Sequence, residues 1–245
     1  MRVFLRRDRD GEYRSASFAA AAEGFRAMGW ELVGYQAIEA ILPELTTEDI
    51  VVDFIDESRQ ALRHLGVMPP DVPTYPEPLR HLLGRAVWTS TINAVAAQPE
   101  QWPVFVKPHN DSKKFTGVLV RSTRDLMGCG DPDEDTPVWC SEPVQLRREW
   151  RCFVRYGAIL DLRPYRGDWR AHYDPQVIEA AVAAWADQPR GCALDFGLDA
   201  RGRTLLIEAN DGFALGAYGL ASHSYARLLS ARWTELVGVR DLCDF

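Results

Sequence analysis

Residues 67–79, VMPPDVPTYPEPL, carry five prolines: Pro69, Pro70, Pro73, Pro76 and Pro78. Each fixes φ and lacks a backbone N–H, so neither a helix interior nor a central strand can run through the segment. It is a connector, and it divides the 245-residue chain into a short leading part and a long trailing part. That length suits one large or two small domains, enough for a sizeable core.

The leading part alternates strand and helix. Val3-Phe4-Leu5 is a short apolar strand, and Ser15 to Met28 places Phe18, Ala21, Ala22, Phe25 and Met28 at helical spacing. Glu31 to Ile38 and the β-branched Asp49 to Ile55 read as strands, and Ser58 to Leu65 as a helix stopped by Gly66. This β-α-β-β-α order predicts a small α/β domain over residues 1–78 with a partly parallel sheet.

The trailing part, residues 79–245, reads as α+β. A helix is expected over Leu79 to Ala96, then a strand at Val104 to Val106 with Gly117 to Arg121 as its antiparallel partner. Val138 to Val144 and Trp150 to Asp161 read as two further strands, and Gln176 to Ala186 as a helix with one apolar face. Residues 191–198 and 204–210 form a hairpin around Asp199-Ala200-Arg201-Gly202, and Ser222 to Leu236 is a closing helix.

Composition removes several function classes. The chain holds 28 Lys and Arg against 35 Asp and Glu, a net charge of −7, which argues against a dedicated nucleic-acid binder and still leaves room for a local basic pocket. The odd count of five cysteines, none in a C-x-x-C pair, signals neither a zinc ribbon nor a disulfide framework and fits a reducing, cytoplasmic setting. The opening MRVFLRRDRDGEYR has no apolar core of a signal peptide, and no stretch is apolar enough to predict a membrane span.

The most informative residues for chemistry are Asp195 and the run Glu208-Ala209-Asn210. On the expected hairpin, Glu208 and Asn210 share a face because they lie two apart, and Asp195 opposes them across the turn. Two carboxylates and an amide oxygen suit a hard cation such as Mg2+, completed by water and phosphate oxygens; the plainer reading is solvated strand residues. Lys107, which ends an apolar strand and is held by Pro108, is placed to meet a phosphate as a point charge, or is an ordinary surface lysine. Lys113 and Lys114 stand in the loop Asn110 to Thr116, which either closes over a polyphosphate or is a solvated hairpin tip. Ser141-Glu142-Pro143-Val144 leaves a strand and exposes backbone groups able to read a purine edge, and Glu149 can accept from ribose hydroxyls. The five histidines show no ligand spacing, with His109 the nearest to the lysines. The tryptophans read as packing residues, although Trp169 could line a substrate pocket.

Taken in order, strand lysine, lysine loop, Ser-Glu-Pro-Val hinge, Glu149, arginine-bearing strand and Asp…Glu-x-Asn, the chain resembles the ATP-grasp superfamily of carboxylate–amine ligases. Asp195 precedes Glu208 by 13 positions and Glu142 precedes Glu149 by seven, spacings similar to those of D-alanine–D-alanine-ligase-like members. Within the superfamily the chain looks like the short clade named for one arginine and two lysines. The resemblance implies a small pre-ATP-grasp, Rossmann-like domain (1–78) followed by a two-lobed ATP-grasp domain (79–245) with ATP between its lobes. It implies ATP and Mg2+ as cofactors, with Asp195, Glu208 and Asn210 on the metal. Lys107, either or both of Lys113 and Lys114, Ser141, Glu142, Pro143, Val144 and Glu149 would then bind ATP. Arg163, in Leu162-Arg163-Pro164-Tyr165-Arg166, matches the arginine near the transferred phosphate, with Arg151 as the second choice. The chain departs from the pattern in two places: the loop HNDSKKFT is poor in glycine, and Arg85 stands where a lysine is usual upstream. The hinge also fits one residue earlier, with Ser141 at the acidic position.

The activity implied is ATP-dependent joining of a carboxylate to an amine through an acylphosphate. Its partners would be small-molecule or peptide substrates, with no nucleic acid and no membrane, and a homodimer is left open. The segment Gly212 to Gly219, GFALGAYG, is placed to border the acyl-acceptor site. The alternatives are a kinase on the same fold and a catalytically silent nucleotide-binding protein. A dinucleotide enzyme lacks its G-x-G-x-x-G after the first strand.

Overall fold

The computed structural model describes residues 1–109, 115–130 and 134–245. In chain order its elements are β1 (Arg2–Arg6), α1 (Ala16–Ala27), β2 (Glu31–Tyr35), β3 (Ile50–Val52), α2 (Ile55–His64), β4 (Val87–Thr91), α3 (Ile92–Ala97), β5 (Val104–Pro108) and β6 (Val118–Val120). They continue with β7 (Pro137–Ser141), β8 (Leu146–Arg155), β9 (Ala158–Gly167), α4 (Pro175–Ala184), β10 (Gly191–Asp199), β11 (Thr204–Asp211) and α5 (Ser222–Val237). These fall into two compact units, one built from residues 1–82 and 147–245, the other from residues 83–146.

The larger unit holds two sheets. In the first, β1 lies between β2 and β3 and is parallel to both, with Val3 opposite Leu32 and Ile50. A central parallel strand is buried on both faces, which is why Val3, Phe4 and Leu5 run without alternation. Ser15 starts α1 by accepting the N–H of Phe18 on its hydroxyl (3.2 Å). The helix then buries Phe18, Ala21, Ala22 and Phe25 in a core shared with Phe153, Tyr225 and Trp233. The second sheet has the order β11-β10-β8-β9. All nine residues of β10 are buried, so any polar side chain on it must find a partner within the protein. The proline connector also positions this sheet: the carbonyl of Thr74 accepts the N–H of Ala209 (2.8 Å), on β11 between Glu208 and Asn210.

The smaller unit is a four-stranded antiparallel sheet, β4-β7-β5-β6. One face packs Val104, Val106, Val120, Val138 and Cys140 around Val95 of α3. Alternation sends Phe105, Lys107, Trp139 and Ser141 to the opposite face.

Three expected elements differ. Residues 79–96 do not form one helix: a 3-10 turn over Glu77–Leu82 gives way to β4 and the short α3. Gly84 breaks the run in a left-handed conformation (φ +59), β-branched Val87, Thr89 and Thr91 favour strand, and Thr91 restarts the helix by accepting from Ala94 N (3.3 Å). The single strand expected over Trp150 to Asp161 is a hairpin, turned at Tyr156 and Gly157 (φ +49 and +73), the paired positive φ values of a two-residue turn whose twist matches its strands. The strand expected to reach Val144 ends at Ser141, because Pro143 has no N–H for the ladder.

Among the described residues no helix is long and apolar enough to cross a membrane.

Candidate functional site

In the larger unit the four-stranded sheet carries a row of charge. Glu208 on β11 stands directly opposite Asp195 on β10. Arg151 on β8 reaches Asp195 with two hydrogen bonds, Nε to Oδ1 and Nη2 to Oδ2, both 2.7 Å. Arg163 on β9 is in turn opposite Arg151. Directly opposed residues project from one face, so the order across the sheet is carboxylate, carboxylate, guanidinium, guanidinium.

Burial makes the central pair strong. Asp195 is 2% exposed and Arg151 7% exposed. Desolvation alone would lower the pKa of Arg151, but the charge and hydrogen bonds of Asp195 outweigh it and hold the pKa above its ordinary value. The fork is bidentate and planar, which fixes the orientation of the guanidinium as well as its charge.

Asn210 lies two residues beyond Glu208, on the same face and opposite the small Ala193. Its Nδ2 is buried without a hydrogen-bond partner. Asp211, next along, is gripped by Arg232 of α5 (Nε to Oδ1 2.7 Å, Nη2 to Oδ2 2.6 Å), which ties the end of β11 to the core. Glu208 and Asn210 are hard oxygen donors of the kind Mg2+ takes, and their placement fits it. Among the described residues no three His, Cys, Asp or Glu side chains cluster as a metal cage.

Two tyrosines cover the arginine half of the row. The Tyr218 ring lies over the Arg151 guanidinium, 4.4 Å from centroid to Cζ, and against the Tyr165 ring at 5.3 Å. Burial, with the negative charge of Asp195 and Glu149, pushes the Tyr165 phenol well above its ordinary pKa, and its hydroxyl hydrogen-bonds Glu149. Glu149 also pairs with Arg166 (3.3 Å). Arg163 meets Asp161 at 3.3 Å through Nη1, while its Nε is buried without a hydrogen-bond partner. Gly219, at φ +83, lies so close to Arg163 that an added Cβ would be 3.2 Å from Nη2.

The smaller unit presents the other expected residues. Lys107 is half-buried on β5 opposite Trp139, and the His109 ring stacks on Trp139 at 4.8 Å. Ser141 is buried at the end of β7; Glu142 and Pro143 are exposed and Val144 half-buried beyond it. Glu142 is held by the backbone of Ala86, accepting its N–H on Oε2 (2.9 Å) and donating its own N–H to the Ala86 carbonyl (3.1 Å). Lys113 and Lys114 lie outside the described residues.

Sequence reasoning missed Tyr165 and Tyr218, and it missed the Arg151–Asp195 and Arg232–Asp211 pairs. The segment holding Tyr218 stood out only for its glycines. Neither pair has a local signal, since each joins residues distant in sequence.

Comparison with known proteins then places the fold. The chain matches the D-alanine–D-alanine ligase of Bacillus anthracis at a TM-score of 0.58 and 14% identity, covering 96% of each chain; that ligase is also known complexed with ATP. It matches N5-carboxyaminoimidazole synthetase of Staphylococcus aureus at 0.59 and 13% identity, over 98% of this chain and 77% of that one. It matches the macrocyclase MdnC, bound with precursor peptide MdnA from Microcystis aeruginosa, at 0.51 and 14% identity, over 94% and 99%. At these identities the likeness shows the fold alone, an ATP-grasp fold of mixed α and β structure. No curated protein sequence matches the chain. The family model of the ATP-grasp domain, R2K clade family 2, matches residues 82–228, and the chain belongs to that family.

Proposed function

We propose that this protein is a Mg2+-dependent carboxylate–amine ligase that uses ATP. The observation that carries the reading is the row Glu208–Asp195–Arg151–Arg163 on one sheet face, with Asn210 beside it. Two guanidiniums next to a carboxylate–amide pair suit a triphosphate, whose charge needs both cations and a metal.

A substrate carboxylate oxygen attacks the γ-phosphorus of ATP, the bond to the β-phosphate oxygen breaks, and ADP leaves. The acylphosphate then meets an amine, the C–N bond forms, inorganic phosphate leaves and the amine loses a proton. Arg163 faces the charge that develops on the transferred phosphoryl group, and Arg151, fixed by Asp195, supports it. Lys107, with Lys113 or Lys114, neutralises the phosphates. Backbone groups of residues 141–144 read the adenine edge, and Glu149 accepts from ribose hydroxyls. Glu208, Asn210 and Asp195 would hold Mg2+, which would supply charge neutralisation and polarisation of the phosphates. We assign residues 1–78 to a pre-ATP-grasp domain and 79–245 to the ATP-grasp domain. The acid and amine are small molecules or peptides, a class that includes what the macrocyclase above is bound with. Five buried cysteines, none disulfide-bonded, suit a reducing cytoplasm.

The test is an ADP-release screen of amino acids and short peptides offered as paired acid and amine, with products read by mass spectrometry. An amide product that appears with stoichiometric ADP is expected. ADP release with only a stable phosphorylated product would overturn the ligation step, and nucleotide binding without turnover across the screen would overturn the enzyme reading.

A further inference from the structure

We infer that Ser17, on α1 in the leading part of the chain, is a positioning residue for Arg151 and Arg163. Its hydroxyl fixes the turn over residues 217–220, which seats Tyr218 on one arginine and Gly219 beside the other. This role rests on the reading of the arginine row as a phosphoryl-transfer site, and it brings to that site a residue from outside the sheet.

Three contacts make the anchor. The Ala217 N–H donates to Ser17 Oγ (3.0 Å). Ser17 also hydrogen-bonds the phenol of Tyr225 on α5, and that phenol donates to the Leu215 carbonyl. Two hydroxyls therefore tie the backbone of residues 215 and 217 to α1 and α5. Tyr225 is buried, where a hydroxyl that loses its partner is costly. Apolar packing follows the same alternation. Phe213, Leu215 and Ala217 are buried in the core that holds Phe18 and Ala21 of α1, whereas Tyr218 is exposed.

The turn needs such an anchor. The Ala217 carbonyl accepts the N–H of Leu220 (2.8 Å), and both residues between them have positive φ, Tyr218 at +47 and Gly219 at +83. Glycine takes that conformation freely, but a tyrosine is strained in it and keeps it only where its surroundings over-determine it. With the Ala217 amide released, Tyr218 relaxes toward negative φ and its ring leaves the Arg151 guanidinium, now 4.4 Å away. The Gly219 backbone beside Arg163 moves with it. Misplacing a charged group in this way costs the transition state more than it costs ground-state binding.

The experiment uses the full chain and two readouts. The first is the Arg151 Nε–H signal in a proton–nitrogen NMR spectrum, assigned by its loss in Arg151→Gln. The Tyr218 ring current shifts that signal, so Ser17→Ala is expected to move it in the same direction as Tyr218→Gly. The second is a double-mutant cycle on ADP release. Ser17→Ala is expected to lower kcat about fivefold, with affinity for a non-hydrolysable ATP analogue kept within about threefold. Combined with Tyr218→Gly it is expected to add less than about twofold to the loss, because both act on one contact. Ser17→Thr keeps the hydroxyl and is expected to restore both readouts. Should Ser17→Ala fold poorly, Tyr225→Phe removes the other hydroxyl, keeps the buried ring and is expected to move both readouts the same way. An unmoved Arg151 signal, losses that multiply across the cycle, or analogue affinity falling as far as kcat each overturn the inference and leave the site reading standing. A wild type that binds the analogue without turnover overturns the site reading and this role with it.

Discussion

The ring of Tyr218 lies 4.4 Å from the guanidinium carbon of Arg151 and gets there from a left-handed backbone, φ +47. For a residue with a Cβ that conformation costs roughly 1–2 kcal/mol. A cation–π contact at a half-exposed site returns about 0.5–1 kcal/mol. The strain is therefore not repaid by this contact alone, and strain of this kind points toward function. Tyr218→Gly removes both terms, so its Tm is expected to stay within a few degrees of wild type. Its turnover is expected to fall by about tenfold as Arg151 loses its cover, while Tyr218→Phe, which keeps the ring, stays near wild type. Calorimetry and ADP release measure the two effects separately.

Glu208 and Lys107 test the two units independently. Glu208→Ala is expected to abolish ATP turnover and leave the circular dichroism spectrum unchanged, since the side chain is half-buried on an edge strand. Full activity in that variant removes Glu208 from the metal. Lys107→Ala is expected to weaken nucleotide binding by about tenfold in a calorimetric titration, the effect of losing one charge-assisted phosphate contact. Unchanged affinity removes Lys107 from the site.

Gly24 tests the packing of α1 on α5. An added Cβ would press on the backbone carbonyl of Ser222 and come within 2.7 Å of the Ala226 methyl position. Alanine is about 1 kcal/mol better than glycine inside a helix, so propensity alone predicts that Gly24→Ala stabilises. Overpacking costs roughly 1–3 kcal/mol and falls here on backbone, which yields least. The expected outcome is a lower denaturation midpoint, read by urea unfolding; a raised midpoint would show that the two helices separate without penalty.

Legibility in the sequence followed sequence distance. The opposition of Asp195 and Glu208 was readable because a short turn joins their strands, and Asp199 pins that turn by accepting from the N–H groups of Arg201 and Arg203 (2.9 and 2.8 Å). The α/β character of the leading part was readable from alternating elements of ordinary length, whereas the order β2-β1-β3 and its wholly parallel pairing were not, since only a partly parallel sheet is expected from the element order. The Arg151–Asp195 fork was not, because β8 and β10 are neighbours only through a connection that includes β9 and α4. The misread helix over 79–96 shows the same limit from the other side: Leu79, Leu82, Leu83 and Val87 fit a helical stripe, and the turn at Gly84 decides otherwise.

Asp49 sets an acid-side dependence. Burial alone would raise its pKa, but hydrogen bonds from Arg2 (3.0 and 2.8 Å) and from the N–H and hydroxyl of Thr46 (2.9 and 2.8 Å) hold it below the ordinary 3.8. A depressed carboxyl contributes stability that is complete above its unfolded pKa and is lost as pH falls through the folded value. Asp49→Asn is therefore expected to lower Tm at neutral pH, with the gap to wild type closing below about pH 3.8. A gap that stays constant with pH would show that the loss is packing and not charge.

Arg163 carries the sharpest test of the proposed chemistry. It stands opposite another arginine on the same face, with Nε buried without a hydrogen-bond partner and one contact to Asp161 at 3.3 Å. Asp195 neutralises Arg151, so the row leaves Arg163 as the guanidinium best placed to receive an incoming anion. Its side chain is 40% exposed, enough for a ligand to reach it. Lysine keeps the charge and loses the planar fork that matches phosphate oxygens in pairs. Arg163→Lys is thus expected to keep nucleotide affinity within about threefold while single-turnover phosphoryl transfer slows by about tenfold or more, the signature of an interaction made in the transition state. Arg163→Gln removes the charge as well and is expected to slow transfer further. If both variants transfer phosphate at the wild-type rate, the arginine of this reaction is not Arg163, and Arg151 takes its place as the residue to test.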